Sequence, residues 1–422
     1  MSDTPLHERF APVFQRIAQG AVQREQERTL AFDAVDWLKT AGFGALRVPR
    51  SQGGLGVPRS QGGLGASLPE LFALLIELGS ADSNLPQIVR AHFGFVEGRL
   101  VSQDPESQAY WFPKVVAGQL WGAAMAERSD TTTNSVTLKP TAEGWQLDGQ
   151  KYYCTGTLYA DWIAVAAADG PDFISVVVPT DAPGVTRVDD WDGFGQRLSG
   201  SGTTRFEQVA VPEHQVLRRF KPGELRAESY ISAFYQLFHL ATLAGIARAA
   251  LRDAVDFVQG RTRAFGIPGQ SSPRLDPLVQ RVIGKLSSLS YAADSLVQAT
   301  AQVLQSTHEA VLDGSISEAQ YVDADVRTYQ AQQVILPLVL EATSLLFEVG
   351  GASATSQVRR LDRHWRNART LASHNPAIYR ERALGDFYLN DVSPAAAWRA
   401  AQEQAVADHP EHASARDEAS AV

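Results

Sequence analysis

The sequence predicts an α+β protein with an N-terminal helical domain, a central antiparallel β-barrel and a C-terminal four-helix bundle. Apolar residues recur every three or four positions before about residue 118 and after about residue 226, which is typical of helices that bury one face. Between these regions, short runs rich in β-branched residues alternate with turn residues, as in strands. The length of 422 residues exceeds what one compact core accommodates. The predicted domains are 1–118, 119–225 and 226–395, followed by a polar tail over 396–422.

Composition excludes several classes of function. The net charge of -9 and the absence of a basic run argue against nucleic-acid binding. The single cysteine, Cys154, excludes an intrachain disulfide and favours a reducing cytoplasm. No C-x-x-C or H-E-x-x-H pattern predicts a metal site, and neither a signal core nor an uncharged run of membrane-spanning length is present. We therefore expect a cytoplasmic protein without metal, nucleic-acid or membrane partners.

Helices account for the first block. Ser67 and Glu70 form an S-x-x-E capping box, which satisfies free amide groups at the start of a helix. Other helices are predicted over Leu30–Ala41, over Leu85–Leu100 with His92 on it, and from Pro105 to about Gly118.

A nine-residue segment, VPRSQGGLG, occurs twice in tandem, at Val48–Gly56 and Val57–Gly65. Two copies are too few for a solenoid, and the Gly-Gly pairs and prolines predict a loop. We interpret the repeat as a duplication that a surface loop tolerates; the alternative is a loop that lines a pocket mouth.

The middle block carries strand signals. Asp148-Gly149 lies between alternating apolar residues, which predicts a hairpin turn at this dipeptide. Further strands are predicted over Trp162–Ala168, Phe173–Val178 and Thr203–Val211. Short, closely spaced strands of this kind favour an antiparallel barrel or sandwich.

Long helical patterns return after about residue 227. The first pattern ends near Val258. Two more cover Leu275–Leu312 and Ser317–Val349, and Gly350-Gly351 ends the last of them. Four such helices usually form an up-down bundle.

Four motifs in this order resemble the acyl-CoA dehydrogenase superfamily of flavoproteins, over essentially the whole chain. They are AMAERSD (Ala124–Asp130), GQKYYCTG (Gly149–Gly156), RTRAFG (Arg261–Gly266) and FEVGGASAT (Phe347–Thr355). The resemblance implies an acyl-CoA dehydrogenase-like fold. Many members carry a catalytic glutamate in a Tyr-Glu-Gly-Thr context after the Gly-Gly segment, but the segment Asp362–Asn390 has no acid in that setting.

That segment and the stretch DDWDGFGQRLSGSGTT resemble a narrower branch, the flavin-dependent dibenzothiophene monooxygenases and the sulfur-acquisition, or alkylsulfone, oxidoreductases. The resemblance implies an enzyme that receives reduced FMN from a separate flavin reductase and uses O₂ to oxygenate a small apolar, organosulfur substrate. FAD remains an alternative to FMN. A homotetramer is expected, because in the superfamily the Gly-Gly segment reaches the flavin of a neighbouring subunit.

The resemblance assigns catalytic roles to His92, His374 and Thr155. A flavin C4a-hydroperoxide has to be shielded from water, and it needs hydrogen bonds and a proton source. A neutral histidine offers both near neutral pH. The branch often has a second histidine three residues before the C-terminal one, where this chain has Leu371.

The flavin-binding residues are expected at both ends of the cofactor. Tyr153 and Thr155 match positions that lie against the isoalloxazine ring, and Met125, Ala126 and Glu127 are expected to contribute backbone groups there. Arginine suits phosphate, and glycine allows close backbone approach. The residues expected at the phosphate end are Arg261, Arg263, Arg369, Gly350 and Gly351.

Three functions remain open at this stage. The first is the two-component monooxygenase, acting on sulfur or, alternatively, on nitrogen or an aromatic carbon. The second is a flavin-dependent acyl-CoA dehydrogenase or oxidase whose base lies elsewhere. The third is a non-catalytic flavoprotein that kept the fold. A carboxylate facing the flavin would favour the second function, and lost flavin contacts would favour the third.

Overall fold

The computed structural model describes residues 5–49, 66–128, 135–170, 172–220, 229–261 and 272–396. The first block consists of helices, including all those predicted there. They are α1 (Leu6–Glu27), α2 (Phe32–Thr40), α3 (Leu68–Ala81), α4 (Asn84–Ser102) and α5 (Pro105–Val116). The capping box at Ser67 is confirmed: Ser67 Oγ accepts from the Glu70 N–H at 3.3 Å, and Glu70 Oε2 accepts from the Ser67 N–H at 2.8 Å. Most of the tandem repeat lies outside the described residues.

The described residues of the middle block form a single sheet of eight strands. They are β1 (Trp121–Ala124), β2 (Thr137–Thr141), β3 (Gly144–Lys151), β4 (Trp162–Asp169), β5 (Asp172–Pro179), β6 (Val185–Arg187), β7 (Thr204–Val211) and β8 (Val216–Phe220). The order is β6-β7-β3-β2-β4-β5-β8, with β1 beside β4.

The prediction of a purely antiparallel barrel is wrong in one respect. The β1–β4 and β2–β4 pairs are parallel, although every other pair is antiparallel. Strands β1 and β2 both pair with β4 and run in the same direction as it does. In the chain, β3 lies between β2 and β4. Among the described residues, β6 and β8 form the two ends of the pairing order and do not pair with each other.

The prediction of a hairpin turn at Asp148-Gly149 is also wrong. Strand β3 continues through the dipeptide, and its register against β7 shifts between Leu147 and Gly149, which marks a β-bulge. Asp148 Oδ1 accepts from the Gln208 N–H of β7 at 2.7 Å, and Gly149 adopts a φ of +125°. The hairpin turn lies earlier, between the paired residues Thr141 and Gly144.

Replacing Gly149 by alanine is expected to lower the apparent melting temperature by several degrees, a loss of about 1–3 kcal/mol. A Cβ at this position would lie 2.5 Å from the Ser135 carbonyl oxygen, in a backbone conformation that favours glycine. Thermal unfolding followed by circular dichroism measures the change.

Gly284→Ala is the matched control, because its Cβ would meet no atom within 4 Å and α7 (Pro277–Asp313) favours alanine. The control should stabilise slightly. Equal melting temperatures for the Gly149→Ala variant and the wild type would contradict the role assigned to the bulge.

The third block contains three long helices and two short ones: α6 (Ile231–Gln259), α7, α8 (Glu318–Leu345), α9 (Asp362–Ala372) and α10 (Ala377–Asn390). Four long helices were expected, but α9 is short and packs against α6 and α8, while α3 of the first block packs against α6 and α7. A Cβ at Gly245 of α6 would lie 2.6 Å from the Ile76 carbonyl oxygen of α3, so glycine permits this close crossing. The two helical blocks therefore share one core.

One helical segment among the described residues, Glu318–Val349, is long and apolar enough by composition to cross a membrane, since a stretch of 18 residues within it has a mean hydropathy of 1.3. A single segment of this kind is weak evidence for a span, since core helices of globular proteins pass the same test. Here α8 packs against α6 and α7, so packing accounts for its composition.

Candidate active site

The loop between β6 and β7 lies where the three domains meet. The Leu198 N–H donates to Asn84 Oδ1 of α4 at 3.2 Å. The Gln196 N–H donates to Asn367 Oδ1 of α9 at 2.6 Å. The Asn367 side chain also donates to Ser83 Oγ at 2.9 Å, which links the first and last domains. A site beside this loop therefore receives groups from all three domains.

A row of buried hydroxyl groups follows the inner edge of the sheet. Thr155 Oγ1 lies 2.9 Å from Ser201 Oγ, which lies 2.7 Å from Ser199 Oγ. Ser199 Oγ donates to the Gln196 carbonyl oxygen at 2.8 Å. All three hydroxyl residues are buried. The structure thus places Thr155 within a hydrogen-bonded row that fixes the direction of its hydroxyl group.

Residues predicted to contact a flavin ring lie just outside this row. Tyr153 adopts a φ of +64°, and 45% of its surface is exposed, next to Tyr152 and Trp191. Met125 is 47% exposed, and the neighbouring Ala126 carbonyl accepts from the Tyr152 N–H at 3.2 Å. The structure therefore brings Met125, Ala126 and Tyr153 to one accessible edge.

Glu127 follows this edge in sequence, but its carboxylate is engaged elsewhere. It forms an ion pair with the buried Lys151 and accepts from the Ser135 N–H at 2.8 Å. Burial opposes its ionisation, but the hydrogen bond from Lys151 holds the pKa of Glu127 below its ordinary value. This carboxylate is therefore a structural anion rather than a proton acceptor.

His374 lies in the turn after α9, beside α4 and α6. Its Nε2 lies 3.4 Å from Arg90 Nη2, and its ring centroid lies 4.3 Å from that of His239. The side chain is exposed, yet the surrounding protein atoms and then the Arg90 charge lower its pKa to about 3. His374 is therefore neutral at physiological pH. His239 supplies from α6 the second imidazole that Leu371 does not.

His92 lies in different surroundings. It is fully buried, its Nε2 lies 2.9 Å from the Gly44 carbonyl oxygen, and its ring packs against Trp121. Burial lowers its pKa to about 4, so it is neutral. Arg90 and His92 project about 200° apart around α4 at 3.6 residues per turn. The structure thus does not bring His92 into contact with His374, although both side chains belong to the same junction of domains.

The predicted phosphate end is partly assembled. Arg261 Nη1 donates to the Gly350 carbonyl oxygen at 3.3 Å. The guanidinium groups of Arg261 and Arg359 lie 5.2 Å and 4.7 Å from the ring centroid of Phe257. Gly351, with a φ of +52°, begins a short 3₁₀ helix beside them. In the described part of the chain, neither arginine forms an ion pair with a carboxylate, so both are available to an anion.

Two further predicted arginines are not part of this group. Arg263 lies outside the described residues. Arg369 donates to Ser373 Oγ at 3.1 Å, at the end of α9 that leads to His374. Arg369 therefore lies closer in the chain to His374 than to the Gly350-Gly351 segment.

Several buried polar atoms at the junction have no hydrogen-bond partner within the described ranges. They include Oε1 and Nε2 of Gln196, Thr370 Oγ1 and His92 Nδ1. A Cβ at Gly195 would lie 2.5 Å from Thr370 Oγ1, so loop and helix are in close contact here. Unsatisfied buried donors and acceptors fit a ligand that carries both, such as the pyrimidine edge of an isoalloxazine ring. The hydroxyl row lies beside Gln196 and offers further hydrogen-bonding groups, while Arg261 and Arg359 offer cations to a phosphate group.

Four residues of the site were not singled out in the sequence: Arg90, Ser199, Ser201 and His239. Ser199 and Ser201 belong to the SGSGTT stretch, whose small polar residues are a usable signal. Arg90 stands two residues before His92 in RAHFGF. His239 has no local signal, because only folding brings α6 to the turn after α9.

A cavity of about 620 Å³ adjoins the predicted phosphate end. It lies between α1, α3 and α6, and its lining includes Phe257 and Arg359. No cluster of three or more His, Cys, Asp or Glu that could hold a metal ion occurs in the part of the chain that the structure describes.

Comparisons with known proteins find similarity over most of the chain. The family profile described as acyl-CoA dehydrogenase, middle domain, matches residues 123–209, and the one described as acyl-CoA dehydrogenase, C-terminal domain, matches residues 237–377. The probable FMNH2-dependent monooxygenase SfnC of Pseudomonas putida is 27% identical over 387 residues, covering 90% of this chain and 93% of that protein.

Two solved structures extend the likeness to the whole fold. FMN-bound TdsC from Paenibacillus sp. A11-2 is 27% identical, has a TM-score of 0.80, and aligns with 91% of this chain and 98% of its own. Methanesulfinate monooxygenase MsuC from Pseudomonas fluorescens is 26% identical, also with a TM-score of 0.80, over 93% of this chain and 98% of its own.

Proposed function

The chain belongs to the acyl-CoA dehydrogenase family, as its motifs predict, and on that premise we propose that it is a two-component monooxygenase acting on a small organosulfur compound. It uses reduced FMN, supplied by a separate flavin reductase, together with O₂. The overall reaction is sulfide + O₂ + FMNH₂ → sulfoxide + FMN + H₂O, in which the sulfur centre and the flavin are both oxidised. A cytoplasmic homotetramer is the proposed working form.

The observation that carries this proposal is the neutral imidazole pair His374–His239 where a dehydrogenase needs a carboxylate. Within the described residues no carboxylate contacts either ring. Glu381, the acid nearest in sequence to His374 on its C-terminal side, is exposed on α10. Neutral imidazoles donate and accept hydrogen bonds without removing a carbon-bound proton, which suits oxygenation better than α-proton abstraction.

The residues of the site divide the work. The hydroxyl row, the Tyr153 edge and the Arg261 region would hold the flavin, which supplies the two electrons that activate O₂. His374 Nε2 accepts from the Arg90 guanidinium, so Nδ1 carries the proton of the neutral ring and is placed to donate a hydrogen bond. The loop between β6 and β7 closes the junction of the three domains and limits the access of water.

A single-turnover experiment tests the proposal. The protein is mixed with one equivalent of chemically reduced FMN, methyl phenyl sulfide and ¹⁸O₂, and sulfoxide and hydrogen peroxide are both quantified. We expect sulfoxide that carries ¹⁸O, with little peroxide. Bleaching of protein-bound oxidised flavin by an acyl-CoA without oxygen would instead establish a dehydrogenase. Peroxide as the sole product with sulfide, amine and indole substrates would overturn the assignment as a monooxygenase.

A further inference from the structure

Arg90 is a cation on the substrate side of the site. Among the described residues, it has no carboxylate as a counter-ion. It projects from α4 onto the ring of Tyr235, with its guanidinium carbon 5.2 Å from the ring centroid. Its Nη2 lies 3.4 Å from His374 Nε2, and its Nε is buried without a hydrogen-bond partner. Among the described residues no carboxylate lies within ion-pair distance of it.

The surroundings of Arg90 add no negative charge. Burial lowers the pKa of His239 and His374, so both are neutral neighbours. The second cation near these histidines, Arg380, has the buried Asp325 close enough to influence its pKa. Burial also lowers the pKa of the Arg90 guanidinium, which nevertheless stays protonated at neutral pH.

Two buried arginines have carboxylate partners: Arg24 lies 3.2 Å from Asp82, and Arg47 lies 3.0 Å from Glu97. Arg99 is buried without a carboxylate partner among the described residues, but its Nη1 donates to Ser107 Oγ at 3.0 Å. Arg90 is half-buried, and a guanidinium that is partly removed from water without an anion suits a ligand that brings the negative charge. Arginine binds carboxylate-like groups through two parallel N–H donors.

The packing around Arg90 shapes a receptor for such a group. Gly94 lies one turn further along α4, and a Cβ there would lie 2.0 Å from Tyr235 Oη, so glycine leaves room for the phenol. Tyr235 and His239 stand one turn apart on α6. The arginine, the phenol and the imidazoles thus lie close together, and the phenol hydroxyl is a further donor there.

On the premise of the proposed function, we propose that the substrate is an organosulfur anion whose carboxylate, sulfonate or sulfinate group is bound by Arg90 beside Tyr235. The sulfur to be oxygenated then lies near His374. This departs from the expectation of a wholly apolar substrate. The alternative source of negative charge is the reduced flavin itself. However, the residues that fit the flavin ring lie at the sheet edge and the loop, whereas Arg90 faces the helices.

Two matched sulfides separate these alternatives. 4-(Methylthio)benzoate and methyl p-tolyl sulfide are both aryl methyl sulfides. The first carries a carboxylate para to the sulfur, and the second carries a methyl group there. The kcat/KM ratio of the two is measured with the FMN-dependent holoenzyme and a flavin reductase. The wild type should prefer the anion by about 10- to 100-fold, as expected for a hydrogen bond to a charged group. In Arg90→Gln this ratio should fall to near one through KM, and Arg90→Lys should retain part of it.

Arg99→Gln is the matched control. Arg99 is a buried arginine on the same helix, hydrogen-bonded to Ser107 and away from His374, so its replacement should leave the ratio unchanged. An unchanged ratio in Arg90→Gln would overturn the proposal. An equal loss for both sulfides, accompanied by weaker FMN binding, would overturn it in favour of a flavin-binding role.

A binding measurement keeps this result separate from the proposed function. Calorimetry of 4-(methylthio)benzoate with the FMN-loaded protein should show at least a tenfold weaker Kd in Arg90→Gln than in the wild type. This difference, if found in a protein that makes no sulfoxide, would establish the anion site and refute the monooxygenase. Equal affinities, if found in a protein that does make sulfoxide, would refute the anion site alone.

Discussion

Replacing His374 by alanine is expected to lower the yield of sulfoxide per reduced flavin by about 100-fold and to divert the electrons to hydrogen peroxide. The imidazole is neutral because its surroundings and Arg90 lower its pKa to about 3, so it can offer a hydrogen bond at every physiological pH. Alanine removes this hydrogen-bonding group. Single-turnover quantification of sulfoxide and peroxide measures the effect.

Two variants make this result specific. His374→Asn keeps a neutral donor and acceptor of similar reach, and should recover part of the yield. His214→Ala removes a histidine that hydrogen-bonds with Tyr110 at 3.0 Å on the surface, and should leave the yield unchanged. Full coupling in His374→Ala would show that the site lies elsewhere, and His92 would then be the histidine to test.

The pH dependence follows from the same lowered pKa. His374 is protonated in the folded state only near and below pH 3, so it does not titrate between about pH 5.5 and about pH 8. The ratio of wild-type to His374→Asn yield should therefore stay constant over this range. A change in that ratio centred near the ordinary histidine pKa of 6.5 would contradict the lowering of the His374 pKa by its surroundings and by Arg90.

Local sequence patterns predicted secondary structure well where the residues within one element determine its structure. The capping box at Ser67 and the helix that carries His92 depend on periodicity and side-chain chemistry within one turn or one face. The Asp148-Gly149 dipeptide shows the limit. A bulge and a hairpin turn need the same residues, and the hydrogen bond from Gln208 on β7, which a local pattern does not contain, determines which one forms.

The candidate site was predictable only in part, for a similar reason. Thr155, Tyr153 and His374 lie in stretches whose resemblance to a family marks them. The second imidazole comes from His239, whose neighbourhood on α6 is an ordinary apolar helix. The missing counter-ion of Arg90 is a property of everything packed around it, so no spacing in the sequence reveals it. Charge balance in a cavity can be judged only after folding.

Breaking the buried Arg47–Glu97 pair is expected to produce the largest loss of stability. Arg47 Nε and Nη2 each lie 3.0 Å from a Glu97 oxygen, and Tyr230 Oη donates to Glu97 Oε1 at 2.5 Å. Both charged side chains are buried. Replacing only Glu97 by leucine leaves the guanidinium without its anion, which should cost about 3–5 kcal/mol. Chemical unfolding followed by tryptophan fluorescence measures this loss.

The pair also joins distant parts of the chain, so breaking it should be detectable as a local change in structure. Arg47 Nη1 donates to the Ala66 carbonyl oxygen at 2.5 Å, so the guanidinium spans both ends of the segment that contains the tandem repeat. His308 of α7 lies 3.0 Å from Glu97. Increased proteolysis between residues 48 and 66 in Glu97→Leu is therefore expected alongside the lower unfolding free energy.

The double variant Arg47→Met/Glu97→Leu distinguishes a paired charge from ordinary packing. Removing both charges leaves no isolated ion, so the double variant should be more stable than either single variant. Lys285→Met removes one partner of the exposed Lys285–Glu341 pair and should cost less than about 1 kcal/mol. Additive losses in the double variant would show that packing, rather than the ion pair, provides the stability.

The stabilisation by Glu97 has a definite pH range. Burial opposes its ionisation, but Arg47 and His308 outweigh burial, so the pKa of Glu97 lies well below its ordinary value of 4.5. The unfolded chain therefore takes up the proton first as the pH falls, and the contribution is complete above about pH 4.5 and decreases below it. The difference in unfolding free energy between wild type and Glu97→Leu should shrink as the pH falls below that value. A difference that is constant with pH would mean that the charge of Glu97 does not contribute.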